Sequence, residues 1–367
     1  MDIRTRIALS LVFVSLLSMS LLGAFAYYTA DGLLQEITLR QLDALAEGKK
    51  RDLDKVEESW RDRVELMERR IVAASPNGVD FSRNKLKSDL NRILGTVDNV
   101  SALRVLDASG EPIGLAGIFP ADYSSGESDN PDRIKYLGTF FSHETGIQVV
   151  YSTELILGGW GPVTFEVVVD GNALESVTKD YTGLGKTGES MIIISESVDT
   201  ILVLNDVRHL IDEKPSMHIA KAQASAFMTS TLNGAPGIFR DGATDYRGIE
   251  VWVATRFLED LDWGIIVKVD AEEERQRSDQ LRSAMIDIGI ALSAFAIIGG
   301  TLLGLYLARP IHNLAELVQR IRLGESHLRA EVKGDDEIAY LAESLNELLE
   351  NIQAITPPDS ESSEKSE

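Results

Sequence analysis

The sequence predicts an α+β protein held between two apolar helices, with a separate helical segment after the second. Three observations predict it. Two stretches, 7–27 and 288–307, carry no charged residue and have about the twenty residues an α-helix needs to cross the hydrocarbon core of a bilayer. Between them a long amphipathic helical pattern gives way to two sets of strand-like segments. Beyond the second stretch, apolar residues repeat three and four apart in two short runs.

The apolar stretches fix the frame. Arg4 and Arg6 precede the first, and Arg309, Arg320 and Arg322 follow the second, so both ends are predicted to be cytoplasmic. The expected division is 1–6 cytoplasmic, 7–28 first transmembrane helix, 29–283 extracytoplasmic, and 284–307 second transmembrane helix. The predicted location is a cell inner membrane, spanned twice, with the middle segment periplasmic or extracellular. For the first stretch a cleaved signal peptide competes, because Ala24-Phe25-Ala26 has the small-x-small form of a cleavage site. For the second, a core helix of a soluble protein competes. Gly299, Gly300 and Gly304 favour the membrane reading, since they weaken a soluble helix but let neighbouring backbones approach in lipid. Asp287, at the outer edge, reads as an interfacial carboxylate.

Composition narrows the function. A net charge of -22 excludes nucleic acid as a partner, which needs a basic face. The absence of cysteine excludes a disulfide scaffold and thiol chemistry. About 250 residues between the apolar stretches suffice for one large or two small cores, and 44% hydrophobic residues support globular folding.

Within 31–71, Leu53, Val56, Trp60, Val64, Met67 and Ile71 recur at helical intervals among charged residues, marking one face for packing. Ser75-Pro76-Asn77-Gly78 reads as a turn, and 82–94 as a second helix. The period then changes. Segments 101–107, 146–155 and 163–170 read as strands, with Asp107-Ala108-Ser109-Gly110 as a hairpin turn. A short helix over 172–180 joins this first set to a second, 190–195, 200–204, 248–257 and 263–270, with a helix over about 218–232. Residues 270–283 are predicted to be helical and to continue into the membrane.

A long helix carrying two successive antiparallel units, the turn Leu184-Gly185-Lys186-Thr187-Gly188-Glu189-Ser190 and the strand start Asp262-Trp263-Gly264-Ile265-Ile266 together resemble the double Cache sensor modules of bacterial receptors. The resemblance implies two PAS-like sheets, a distal module of about 80–170 and a proximal one of about 181–270. Gly185-Lys186-Thr187 does not make a phosphate-binding loop: Asp180 stands where the first glycine is needed, and Met191-Ile192-Ile193-Ile194 reads as a strand where the loop must open a helix.

After the second span, Ile311, Leu314, Val318 and Ile321 form one seam, and Ile338, Leu341, Leu345, Leu348 and Ile352 another. Each is too short to be stable alone, so both are expected to bury themselves against each other and a second copy of the chain. With Pro310 before the first helix, Gly324 after it, Asp336-Glu337-Ile338 opening the second and Leu345-Asn346-Glu347-Leu348 within it, residues 308–355 resemble a HAMP domain. The resemblance implies a parallel four-helix bundle made by a homodimer. The connector departs from the usual pattern, its apolar positions reading as Leu328 and Val332.

The Cache resemblance places a small-molecule ligand in the distal module, with Asp132, Arg133, Tyr136 and Tyr151 as candidates for an anion partner, hydrogen bonds and an aromatic wall. The amino-acid-recognition pattern known from part of that family does not fit these positions, so no ligand class follows. No His-Glu-x-x-His or Gly-x-Ser-x-Gly is present, and His143, His209, His218, His312 and His327 are scattered. No catalytic residue, metal site or cofactor is predicted.

The sequence therefore reads as a membrane sensor that passes a conformational change through a HAMP dimer to a separate cytoplasmic protein, such as a kinase, a cyclase or a response regulator. Two alternatives stand beside it: the input portion of a longer histidine kinase or nucleotide cyclase, and a membrane-tethered solute-binding protein. The polar, acidic stretch 356–367 is expected to be a disordered natural terminus, which favours the first reading.

Overall fold

The computed structural model describes residues 3–74, 82–121, 123, 132–142, 144–210 and 217–355. The turn expected at 75–78, His143 and the tail 356–367 lie outside the described residues. The chain divides into two units, Gly32–Ser278 and the pair Met1–Asp31 with Asp279–Glu367.

Helix α1 (Ile3–Ala74) runs without a break from the first apolar stretch through the amphipathic segment. The predicted stripe is buried: Leu53, Trp60, Val64, Met67 and Ile71 are each at most 1% exposed. Helix α2 (Arg83–Leu94) begins at Ser82, whose Oγ accepts from the Lys85 amide, as an N-cap should. Five antiparallel strands follow: β1 (Val100–Leu106), β2 (Pro112–Gly117), β3 (Ile134–Ser142), β4 (Gly146–Leu157) and β5 (Gly161–Asp170), in the order β2-β1-β5-β4-β3.

Helix α3 (Ala173–Thr178) leads to the second sheet. Its strands are β6 (Glu189–Ser195), β7 (Thr200–Val203), β8 (Met217–Ala220), β9 (Ile238–Phe239), β10 (Val251–Leu258) and β11 (Trp263–Asp270), in the order β8-β7-β6-β11-β10-β9. Helix α4 (Ala226–Leu232) packs on one face of this sheet. The expected helix over 218–232 is thus only half helical. Met217 and Ile219 alternate with His218 and Ala220, a period of two, and the apolar pair packs into the core beneath α4. Strands β2, β3, β8 and β9 are additions to the predicted set.

The run Met191-Ile192-Ile193-Ile194 is apolar throughout because β6 is covered on both faces. Met191 and Ile193 pack with Phe227 and Met228 of α4, whereas Ile192 and Ile194 belong to the core shared with α1. That shared core joins the two sheets: it holds Leu103 and Phe165 of the first and Ile265 of the second. Trp60 of α1 meets Trp263 of β11 edge to face, ring centres 6.0 Å apart. The strand start Asp262-Trp263-Gly264 now has a reason at each position. Asp262 takes a left-handed turn (φ 54), Trp263 enters the core, and a Cβ at Gly264 would lie 2.8 Å from Ile193 Cγ1.

In the other unit, α1 supplies the first apolar stretch and α5 (Ala271–Arg322) the second. Both helices are long and apolar enough to cross a membrane. The glycines meet the first helix: an added Cβ at Gly300 would lie 2.9 Å from Val12 Cγ2, and one at Gly304 would lie 2.7 Å from Ala8 Cβ. After a connector, α6 (Glu337–Ile355) completes the described chain.

Candidate functional site

The four predicted ligand residues lie on the side of the first sheet that packs against α1. Tyr151 is fully buried in the shared core, and Tyr136 packs beside it with ring centres 6.0 Å apart. Burial pushes the Tyr136 hydroxyl up to about 12 and raises that of Tyr151 well above its ordinary value. Asp132 accepts from Arg61 of α1 at 3.2 Å, and Arg133 reaches Glu68 of α1 at 2.6 Å. The structure therefore brings the aromatic pair together and ties the acid and the base to α1.

The opposite face of the same sheet carries a different constellation. Registers place Arg104 opposite Glu166, and Glu166 opposite Ser152, so the three share a face. Glu166 is 1% exposed, and its carboxylate accepts from Arg104 Nε at 2.6 Å and from the Tyr123 hydroxyl at 2.7 Å. The Arg104 guanidinium lies 4.4 Å from the ring centre of Phe119 and 5.0 Å from that of Tyr123. Burial and then the bond to Glu166 push the Tyr123 hydroxyl well above its ordinary value. Further along this face Gln148 is 3% exposed and accepts from Thr145 Oγ1, while its Nε2 donor has no acceptor among the described residues. A buried charged pair, a donor without an acceptor and three rings (Phe119, Tyr123 and Phe140) make this the polar, aromatic face on which a small molecule would find partners. Opposite charges at matching strand positions, Leu103-Arg104-Val105 and Phe165-Glu166-Val167, are visible in the sequence, but pairing them needs the register.

The turn before β6 has a role that sequence reasoning missed. The carboxylate of Glu273, in the first turn of α5, accepts from the Lys186 amide at 3.1 Å, the Thr187 amide at 2.9 Å and the Thr187 hydroxyl at 2.7 Å. Gly185 has φ +66, and a Cβ there would stand 2.5 Å from Glu273 Oε1. The glycine turn does bind an anion, and the anion belongs to the chain itself. Burial alone would raise the Glu273 pKa, but the Thr187 and Lys186 donors with Arg277 hold it below the usual carboxylate value. Next to it, Glu274 accepts from Thr38 of α1 at 2.8 Å and from Arg277 at 2.6 Å. The start of α5 is thereby fastened to both the second sheet and α1.

A second ionic cluster braces the second sheet. Lys268, fully buried, reaches Glu189 at 2.5 Å and also binds Asp245, and its ammonium lies 4.7 Å from the ring centre of Tyr246. Tyr246 in turn donates to Glu189 at 2.9 Å.

The relay residues divide into two sets. Leu314, Ile321, Ile338 and Leu345 are half-buried, whereas Ile311, Val318, Leu341, Leu348 and Ile352 are between 41% and 57% exposed in the single chain. On α6 the buried positions are Ala339, Ala342 and Leu349, a turn-by-turn face beside the predicted seam. Asp336 caps α6 by accepting the Ala339 amide at 2.9 Å, Glu337 lies in its first turn, and Gly324, with φ +111, ends α5. Pro310 lies inside α5. The connector is pinned at Ala330, which Asn346 of the Leu345-Asn346-Glu347-Leu348 stretch holds. Asn346 Oδ1 accepts the Ala330 amide at 2.7 Å, and its Nδ2 donates to the Ala330 carbonyl at 2.8 Å. Ala330 is buried, Leu328 is half-buried and Val332 is 47% exposed, so the packed connector position lies between the two expected ones.

Residues 302–354 match the model of the HAMP domain. The chain therefore carries a HAMP domain, the helical relay of transmembrane signalling proteins. Among solved structures, the isoleucine-bound sensory domain of the Campylobacter jejuni chemoreceptor Tlp3 is similar, at 12% identity and a TM-score of 0.44, over 67% of this chain and 97% of that one. A domain assigned as the extracellular part of histidine kinase mmHK1S-Z3 is similar at 14% identity and a TM-score of 0.44, over 68% of this chain and 98% of that one. No curated protein sequence matches the chain.

Proposed function

We propose that this chain is a transmembrane receptor rather than an enzyme, one that detects a small extracytoplasmic ligand and relays a change of shape through a dimeric HAMP domain to a separate cytoplasmic signalling protein. The observation that carries the reading is helix α5. Its first turn is fastened to the second sheet by Glu273, its middle is apolar enough to cross a membrane, and its end lies within the HAMP match. One continuous helix transmits a displacement or rotation along its length, and packed helical seams respond by switching between discrete arrangements.

The ligand face is that of Arg104, Glu166, Tyr123 and Gln148, where a donor stands without an acceptor among the described residues. The exposed seam Leu341, Leu348 and Ile352 supports the homodimer, since a row of large apolar side chains in water is stabilised by a second copy. Basic residues at the membrane edges support cytoplasmic termini.

Because the chain has no cysteine, single substitutions test this directly in membranes. Leu348→Cys is expected to crosslink between chains. A membrane-impermeant thiol reagent is expected to reach Ser109→Cys from the outside and Glu347→Cys only after lysis. Labelling of both positions from one side, or no crosslink, would sink the proposal.

A further inference from the structure

A cleft of about 360 Å³ opens between α1 and α3, the short helix that links the two sheets. Its size lies at the small end of the roughly 300–1,000 Å³ typical of ligand pockets. Three cations, Lys49, Lys55 and Arg63, and two carboxylates, Asp52 and Asp180, line it, which leaves one net positive charge.

The three cations are not equivalent. Lys49 is 6% exposed and spends its ammonium on the carbonyl oxygens of Val177 and Asp180, at 2.5 and 2.6 Å, closing the end of α3 onto α1. Burial lowers its pKa, with Asp180 opposing. Lys55 pairs with Asp52 at 2.9 Å. Arg63 is half-buried and has no hydrogen-bond or acidic partner among the described residues. Ser59, one turn before it, lines the same wall, Ser176 lines the cleft too, and the apolar lining is Val56, Ala173 and Val177, with the buried Trp60 behind them.

We infer that this cleft binds a small monocarboxylate with a short apolar body, its acid group taken by Arg63 and its body by Val56 and Val177. A guanidinium presents a planar fork that matches a carboxylate and is always charged. A dianionic phosphate would bring a second negative charge to a wall whose other cations are already paired. The site is separate from the sheet face of Arg104 and Glu166, none of whose residues line it, so it is a second input at the link between the two sheets. A ligand here bridges α1, which enters the membrane, and α3, which joins the sheets.

The test uses the full chain in lipid nanodiscs and n-butyrate as the probe, with n-butylamine and inorganic phosphate at matched ionic strength as controls. Saturable change in tryptophan fluorescence and a rise in the thermal midpoint are expected for butyrate in the millimolar range and for neither control. Arg63→Ala should weaken butyrate binding at least tenfold, the loss expected for a charged hydrogen-bonding partner, while its midpoint without butyrate stays that of the unsubstituted chain. Ser59→Leu, which fills the wall and leaves Arg63 in place, should abolish binding as well. No saturable effect of butyrate, an equal effect of phosphate, or binding that survives both substitutions would overturn the inference, and each leaves the sheet-face reading standing.

Discussion

Thr187 grips the carboxylate of Glu273 from two sides, through its amide at 2.9 Å and its hydroxyl at 2.7 Å, and the same hydroxyl accepts the Asp270 amide at 3.1 Å. Thr187→Val removes the hydroxyl while keeping the shape. It is expected to cost about 1.5–3 kcal/mol, the range for a hydrogen bond to a charged group. The pH dependence has a fixed sign. Because the folded pKa of Glu273 is lowered, its contribution is present above the unfolded value of about 4.3 and is lost as pH falls through the folded one. Thermal unfolding should therefore show a gap between Thr187→Val and the unsubstituted chain at pH 7 that narrows below about pH 4. A gap that stays constant on acidification would show that Glu273 is not the partner that matters.

Lys268 is a buried cation held by two buried carboxylates, and such a cluster is sensitive to the loss of one member. Lys268→Met leaves Glu189 without a cation, while Asp245 keeps Arg247 at 2.7 Å, and is expected to destabilise the protein by about 3–5 kcal/mol. Adding Glu189→Gln to the same chain should recover part of that loss, because the uncompensated charge is then gone. If the double variant unfolds no later than the single one, the cost arises from packing around the lysine stem instead.

In the membrane unit, Gly300 and Gly304 are one turn apart and face Val12 and Ala8. Small residues at this spacing permit close helix approach in lipid, where burial of apolar surface gives no net drive. In a chain carrying Val12→Cys and Gly300→Cys, oxidation should yield an intrachain crosslink. Adding Gly304→Leu should reduce its yield several-fold, since even a Cβ there would stand 2.7 Å from Ala8 Cβ. Undiminished crosslinking would mean that the glycines are not at the contact.

What the sequence revealed follows from period and length. The stripe from Leu53 to Ile71 was legible because a helix face repeats over many turns, and the buried positions match it. Strand β3 was not, since Gly138 opens a bulge opposite Tyr151 and Val150 that breaks the alternation. The ligand candidates lie on or beside the first sheet, but which face each side chain occupies depends on register, and Tyr151 alternates with Val150 and Ser152 to point toward α1. The partner of the Gly185 turn was invisible for another reason: Glu273 lies 86 residues from Thr187.

Asn346 gives the relay its sharpest local test. Its amide group is matched atom for atom to the backbone of Ala330, accepting at 2.7 Å and donating at 2.8 Å, and so sets which connector residue packs. Asn346→Asp keeps the acceptor but replaces the donor by an oxygen facing the Ala330 carbonyl. Asn346→Ala removes both bonds, worth roughly 1 kcal/mol each. Both substitutions leave the apolar positions of α6 in place, so helix content should be unchanged while hydrogen exchange at the Ala330 amide accelerates, more for Ala than for Asp because only the latter retains an acceptor for that amide. If the connector selects between packings of the HAMP helices, the same two substitutions should shift the interchain crosslinking pattern of Leu348→Cys in that order. Faster exchange without any change in crosslinking would confine Asn346 to holding the connector and remove it from the switch.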